Sequence, residues 1–394
     1  MIGAATAANR PRPARAPRPP AVLVVSLLLL TFGLLMMTSA SVEIAQNNYG
    51  DSLFFLKRQL VFAVLGVAVM LALMAVPMRT WNALGWLLLL ASYFLLTIVL
   101  VPGIGREVNG SMRWIDLGFV GVQPSEPAKV FLVIYLAAYL ARHRDSVRDS
   151  WLGFLVPLVP VGLAVALLQM EPDHGAMAIV ALTSLCLVFL AGAGIRRMFS
   201  LLLLSLGAIG VLAWTQPYVV RRLTAFLDPW APENIFGAGY QLGQAQIAFG
   251  RGGLLGAGVG NSIQKIDFLP EAHNDFILAV IGEELGLAGV ALVVLLFCLL
   301  VGCCFSIAHQ AQQRERWFCA FLAWGLGLLF AGQAMVNIGV NLGLLPTKGL
   351  TLPFMSYGGA SLIVCCAMIG LLLRVQYETE CLSADRADRR RRLP

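Results

Sequence analysis

Apolar residues in this chain run in long continuous stretches instead of alternating with polar ones. Ten stretches approach the length of about 20 residues that a helix needs to cross a bilayer core. They are Ala21–Val42, Gln59–Val76, Trp81–Val101, Ser125–Ala141, Trp151–Met170, Gly175–Gly194, Met198–Thr215, Phe276–Val301, Trp317–Ile338 and Tyr357–Leu373. The alternation expected of an outer-membrane barrel is missing, which leaves helices as the viable spans. The pattern predicts an all-α polytopic membrane protein with about ten transmembrane helices. The fourth stretch is the most polar, since it opens with Glu126, Pro127 and Lys129. A long outer loop, 215–274, separates the seventh and eighth spans. Loops of that length are uncommon without structure or function of their own. Within it, Tyr218–Leu227 sets apolar residues at helical spacing opposite Arg221 and Arg222, which predicts an interfacial amphipathic helix.

Composition agrees with the pattern. Of 394 residues, 59% are hydrophobic and 12% charged, and the mean hydropathy is +0.80. A soluble domain carries roughly 25% charged residues, so a soluble enzyme of this length is excluded. The net charge of +7 could suggest nucleic acid, but sorting it by side of the membrane removes that reading. Ten spans put both termini on one side, and that side holds 18 of the 28 Lys and Arg. It also holds 7 of the 21 Asp and Glu, a balance of +11 against −4 opposite. By the positive-inside rule both termini are cytoplasmic. The expected organisation is a disordered basic tail (1–20), a membrane domain (21–373) and a second basic tail (374–394). The apolar run after residue 20 is too long for a cleaved signal sequence. No cysteine falls in an outer loop, so no disulfide framework is implied, and Cys303-Cys304 with His309 matches no zinc spacing.

The polar residues outside the tails gather in four outer segments. The first, Pro102–Gln123, contains Arg106, Glu107, Asn109, Gly110, Arg113, Trp114 and Asp116, and leads into Gln123-Pro124-Ser125-Glu126. Ser125 is a candidate N-cap. Glu126 and Lys129 share a helix face, either as a local ion pair or as a charged pair at the edge of a cavity. The second segment, Gln169–Gly175, holds Glu171, Asp173 and His174, with Asp173 a candidate N-cap for the next helix. The third includes nine glycines within Gly237–Gly260. The G-x-G-x-x-G spacing fails at Leu255 and Asn261, which rejects a nucleotide loop. Close backbone approach is the better reason for these glycines. This segment ends at Pro270-Glu271-Ala272-His273-Asn274-Asp275, directly before an apolar span. Asp275 is a helix cap or a proton acceptor at the membrane edge. The fourth, Asn337–Ser361, carries Asn341, Lys348, Ser356, Tyr357 and several Pro and Gly, which predicts a broken backbone buried in protein. Lys348 is either snorkelling or a cation for an anionic substrate.

Together these segments resemble the SEDS family (shape, elongation, division and sporulation), most closely its FtsW cell-division branch. The resemblance rests on Asn109-Gly110-Ser111-x-Arg113-Trp114, Gln123-Pro124-Ser125-Glu126, Glu171-Pro172-Asp173, Gln264-Lys265, the Pro270–Phe276 run and Leu345–Gly359. It covers roughly Ser39 to Leu373. Asn274 and Ala360 depart from the usual pattern, and neither removes an ionisable group. The resemblance implies a septal peptidoglycan glycosyltransferase that polymerises lipid II into β-1,4 glycan strands. It also implies partnership with a class B penicillin-binding protein and other division proteins, within membrane lipid and without nucleic acid. The family's essential Asp matches Asp275, the expected general base of an inverting displacement. Arg113, Glu126, Lys129, Lys265, His273, Lys348 and Ser356 are the expected substrate-binding residues. A divalent cation, Mg or Mn, could assist the leaving diphosphate. Two rival readings fit the same span pattern. One is a transporter that flips lipid II; no internal repeat supports it. The other is a scaffold without chemistry.

Overall fold

The computed structural model describes residues 20–108, 111–116, 118, 121–201, 203, 207, 210, 226–237, 239–266 and 268–392. Four helices open the chain: α1 (Ala21–Tyr49), α2 (Phe54–Ala75), α3 (Met78–Ala83) and α4 (Gly85–Ile98). A small antiparallel sheet follows, ordered β1 (Gly105–Val108), β2 (Ser111–Asp116), β3 (Gly121–Val122). Then come α5 (Ser125–Asp149), α6 (Trp151–Leu155), α7 (Leu158–Met170), α8 (His174–Leu190), α9 (Tyr240–Gly252), α10 (Ile277–Gln313), α11 (Trp317–Asn341) and α12 (Gly359–Arg392).

Six helical segments among the described residues are long and apolar enough to cross a membrane, α1, α2, α6 with α7 (Trp151–Met170), α10, α11 and α12, and α4 and α8 are shorter apolar helices. Their lipid-facing side is visible as exposed apolar residues, such as Val61, Val64 and Leu71 on α2 and Leu87, Leu90 and Phe94 on α4. This is a multi-pass membrane protein. α5 and α11 form the centre of the bundle, where most side chains are buried on every face. That position accounts for the polar start of α5. Its charged turn lies inside protein, so it needs no lipid-compatible surface. The seventh predicted span, Met198–Thr215, the amphipathic segment Tyr218–Leu227 and the tail 1–20 lie wholly or mostly outside the described residues.

Two features depart from the sequence pattern. The first is the sheet, which an all-α reading omits. β1 and β2 pair on either side of Asn109-Gly110, with Val108 opposite Ser111 and a register shift between Arg106 and Glu107. The dipeptide Asn-Gly is a strong hairpin signal, and it was outweighed by the polar composition around it. The second is α10. The predicted span begins at Phe276, but the helix breaks at Gly286, whose φ is 65°. A Cβ there would meet the Gly256 nitrogen at 2.5 Å. Ile277–Leu285 is therefore a short inner helix, buried on almost every face. The exposed apolar side chains start at Leu287. The chain from Gly253 to Gly258 docks on the break, through Leu287 N to Gly253 O (2.9 Å) and Ala257 N to Glu283 O (2.9 Å). This is the close approach that the glycines suggested.

Two buried carboxylates secure this arrangement. Glu283 accepts from Arg251, Ser262 Oγ and the Ile263 and Gln264 amides. Glu284 accepts from Lys265 Nζ (2.6 Å) and Ser39 Oγ (2.8 Å), which ties the inner helix to α1. Buried charges persist in a fold only when paired and hydrogen-bonded in this way.

Candidate active site

Asp275 sits in the last loop turn before the inner helix, and its backbone is fixed on three consecutive carbonyls. Tyr357 N donates to His273 O (2.9 Å). Ser356 Oγ donates to Asn274 O (2.6 Å) while accepting from Leu352 N (2.8 Å). Asn337 Nδ2 and Asn341 Nδ2 both donate to Asp275 O, each at 2.9 Å. Asn341 Oδ1 also accepts from Ala279 N (3.2 Å), so α11 supplies a cap for the inner helix. Satisfying buried carbonyls is obligatory. Here it also sets the direction in which Asp275 leaves the backbone.

The Asp275 carboxylate caps no helix. Phe276 occupies the N-cap position of α10, with no side-chain cap. Gly349 lies against the carboxylate instead: a Cβ at that position would stand 2.8 Å from Oδ2. The side chain is half-buried. Burial and the nearby Glu271 push its pKa up to about 7, against a smaller opposing pull from Arg113. A carboxylate in that range can take a proton and return it near neutrality.

The expected site residues divide into those gathered around Asp275 and those held elsewhere. His273 is buried between Phe55 and Tyr357, with ring centroids at 4.8 and 5.8 Å. Its Nδ1 is buried with no partner among the described residues, and burial lowers its pKa. Ser356 is a positioning residue, since its hydroxyl is committed to backbone on both sides. Lys348 is half-buried and immediately precedes Gly349, on the strand of chain that faces Asp275. Arg113, on β2, lies within electrostatic reach of both Asp275 and Glu171.

Glu126 and Lys129 form a buried i,i+3 pair at 2.7 Å, with side chains 6% and 3% exposed. They lie near Cys365 on α12 and make no hydrogen bond to Asp275. The N-cap expectation for Ser125 is corrected: the N-cap residue of α5 is Pro124, and the Ser125 hydroxyl donates to Asp173 Oδ2 (2.9 Å). The hydroxyl donates to a nearby buried anion instead of accepting from the helix's own amides. Asp173 does cap α8, accepting from Ala176 N (3.1 Å). Lys265 makes no hydrogen bond to Asp275. Its ammonium is bound to Glu284, Gly260 O and Ser39 Oγ, beneath the helix break. Among the described residues no three His, Cys, Asp or Glu side chains gather as a metal site.

Three groups in this region were not singled out from the sequence. Asn337 and Asn341 were legible only as polar residues in an apolar helix. Glu171 was legible as part of a motif, but not as a wholly buried carboxyl.

Residues 20–381 match the FtsW/RodA/SpoVE model, described as cell cycle protein. The chain belongs to this family. Across 91% of its length it is 49% identical to a probable peptidoglycan glycosyltransferase FtsW of Pseudomonas fluorescens (strain SBW25), covering 88% of that protein. It is 46% identical to the Coxiella burnetii protein of the same description, covering 91% of this chain and 96% of that one. Among solved structures it is similar to a chain of a peptidoglycan synthase complex that coordinates polymerization and crosslinking. There the TM-score is 0.72 with 29% identity, over 91% of this chain and 97% of that one. It is also similar to the rod shape determining protein RodA of Thermus thermophilus, with a TM-score of 0.67 and 26% identity over 92% and 97% of the two chains. The fold of the FtsW/RodA/SpoVE family is thus present along nearly the whole chain.

Proposed function

We propose that this protein is a peptidoglycan glycosyltransferase that polymerises lipid II into β-1,4 glycan strands at the outer face of the cytoplasmic membrane, at the division septum. The observation that carries the reading is Asp275, a half-buried carboxylate held by three tethered carbonyls and by Gly349, with a pKa near 7. Lipid II carries an α-linked sugar on a diphosphate, and the product link is β, so the displacement is inverting. Asp275 takes the proton of the acceptor hydroxyl as its oxygen attacks the anomeric carbon. Arg113 and Lys348 are the cations best placed to stabilise the departing diphosphate. Glu126–Lys129 and Lys265–Glu284 hold the walls of the site in shape. The partner is a class B penicillin-binding protein, in keeping with the crosslinking complex that the fold resembles.

The test is polymerisation of labelled lipid II by the purified protein, alone and with its transpeptidase. The wild type gives glycan polymer. Asp275→Asn gives none, while its yield, melting temperature and partner binding are unchanged. Polymer from Asp275→Asn at the wild-type rate removes the base assignment. Lipid II translocation without any polymer supports the transporter reading instead.

A further inference from the structure

Besides His273 Nδ1 and Asn274 Oδ1 next to Asp275, two buried polar groups within electrostatic reach of each other, Glu171 and Arg113, have atoms without partners among the described residues, and both can be satisfied by the same kind of atom. Glu171 follows the last turn of α7 and is 0% exposed. Neither of its carboxyl oxygens has a hydrogen-bond partner among the described residues. Its neighbour Asp173 is the opposite case, an anion satisfied by Gln123 Nε2, Ser125 Oγ and Ala176 N. The other charged group facing Glu171 is Arg113. The helices packed on α7 offer no further charge here. Tyr93 on α4 donates to Pro160 O, and His174 at the head of α8 lies against Pro172 O. Burial, then the charge of Asp173, pushes the Glu171 pKa up to about 8, with Arg113 opposing. Near neutrality Glu171 is therefore an acid-form carboxyl, a buried O–H in need of an acceptor.

Arg113 is the second orphan. Its Nε is buried without a partner among the described residues, and no ion pair forms to either carboxyl in reach. An N–H and an O–H, both desolvated and both donors, lie within electrostatic reach of each other, and Arg113 also acts on Asp275. Leaving such donors unmatched is unfavourable, and an occupant rich in acceptor oxygens removes the penalty.

We propose that Arg113 and the unpartnered Glu171 carboxyl together form a subsite for a phosphate oxygen of a lipid-linked diphosphate, making Glu171 a second catalytic residue in addition to Asp275. This rests on the glycosyl-transfer reading of the site. In the transfer, the acceptor oxygen bonds to the anomeric carbon and its proton passes to Asp275. The bond from that carbon to the diphosphate oxygen breaks, and the electron pair leaves with the diphosphate. Glu171 donates a hydrogen bond to the departing oxygen and keeps its own proton. Ionised Glu171 would place a third negative charge beside Asp173 and the diphosphate, so the subsite closes as Glu171 titrates.

The experiment measures binding of a radiolabelled short-chain polyprenyl diphosphate to the full-length, detergent-solubilised protein at pH 7 and pH 9. It is run in the Asp275→Asn background, where turnover does not interfere. The parent should lose roughly tenfold in affinity between the two pH values, the fold-change expected for one unit beyond a pKa of about 8. Glu171→Gln keeps a neutral donor and should bind equally at both. Arg113→Gln should bind weakly at both. A pH dependence that survives in Glu171→Gln overturns the proposal, as does Arg113→Gln binding like the parent. The readout is binding, so failure here leaves the base role of Asp275 standing, and failure of that role leaves this result interpretable.

Discussion

Asp275, the proposed general base, owes its placement to atoms that lie far from it in sequence. Its carbonyl is held by Asn337 and Asn341, and its carboxylate rests where Gly349 has no side chain. Gly349→Ala would place a methyl 2.8 Å from Oδ2 and force the carboxylate to move. Misplacing a catalytic group by about 1 Å can cost on the order of 100-fold. Gly349→Ala is therefore expected to lower kcat by roughly tenfold or more with little change in melting temperature. Lipid II turnover and thermal unfolding of the same preparation check both halves. The place of Asp275 at the edge of an apolar run was legible in the sequence. The asparagine tethers were not, because they act across 62 and 66 residues of sequence and only the fold brings them close. Glu171 was hidden for a related reason, since the sequence shows a carboxyl in an outer turn and cannot show that the turn is buried.

At the scale of elements, the broken helix α10 decides the geometry. Hydropathy reads Phe276–Val301 as one span, because buried-in-protein and buried-in-lipid segments are equally apolar. The signal for the break was present in Glu283, Glu284 and Gly286, two carboxylates and a glycine inside an otherwise apolar run. The structure uses the glycine to redirect the chain and the carboxylates to anchor the glycine-rich loop and α1. Leaving a buried hydrogen-bond donor unmatched typically costs about 1–3 kcal/mol. Glu283→Ala, which leaves the Ser262 hydroxyl and the Ile263 amide unmatched, is expected to lose that much. The loss should appear as a lower melting temperature and poorer recovery of monodisperse protein. A melting temperature equal to the wild type's would show that the loop holds the break without its anchor. The β1–β2 hairpin is the other element the pattern underweighted. It carries Arg113 towards Glu171 and Asp275, although no apolar periodicity marks it.

For the whole molecule, the distribution of Lys and Arg predicts on which side of the membrane each loop lies. In the proposed topology the excess of Arg on the cytoplasmic side sets orientation, and five ion pairs occupy outer charges among the described residues. Orientation is testable with single cysteines added to a variant lacking the native ones. A cysteine at Gly237 should react with an impermeant thiol reagent in intact cells, and one at Asp145 should react only after lysis. The reverse pattern would invert the proposed topology and put Asp275 in the cytoplasm. The central claim, that Asp275 is the general base, has a still more direct measurement: the pH dependence of kcat/KM for lipid II polymerisation. The burial and Glu271 that raise the Asp275 pKa to about 7 leave it protonated, and unable to accept a proton, at lower pH. The rate should therefore rise tenfold per pH unit below about 7 and level off above it, until Glu171 titrates near 8. A rate independent of pH between 5 and 7 would contradict the base role.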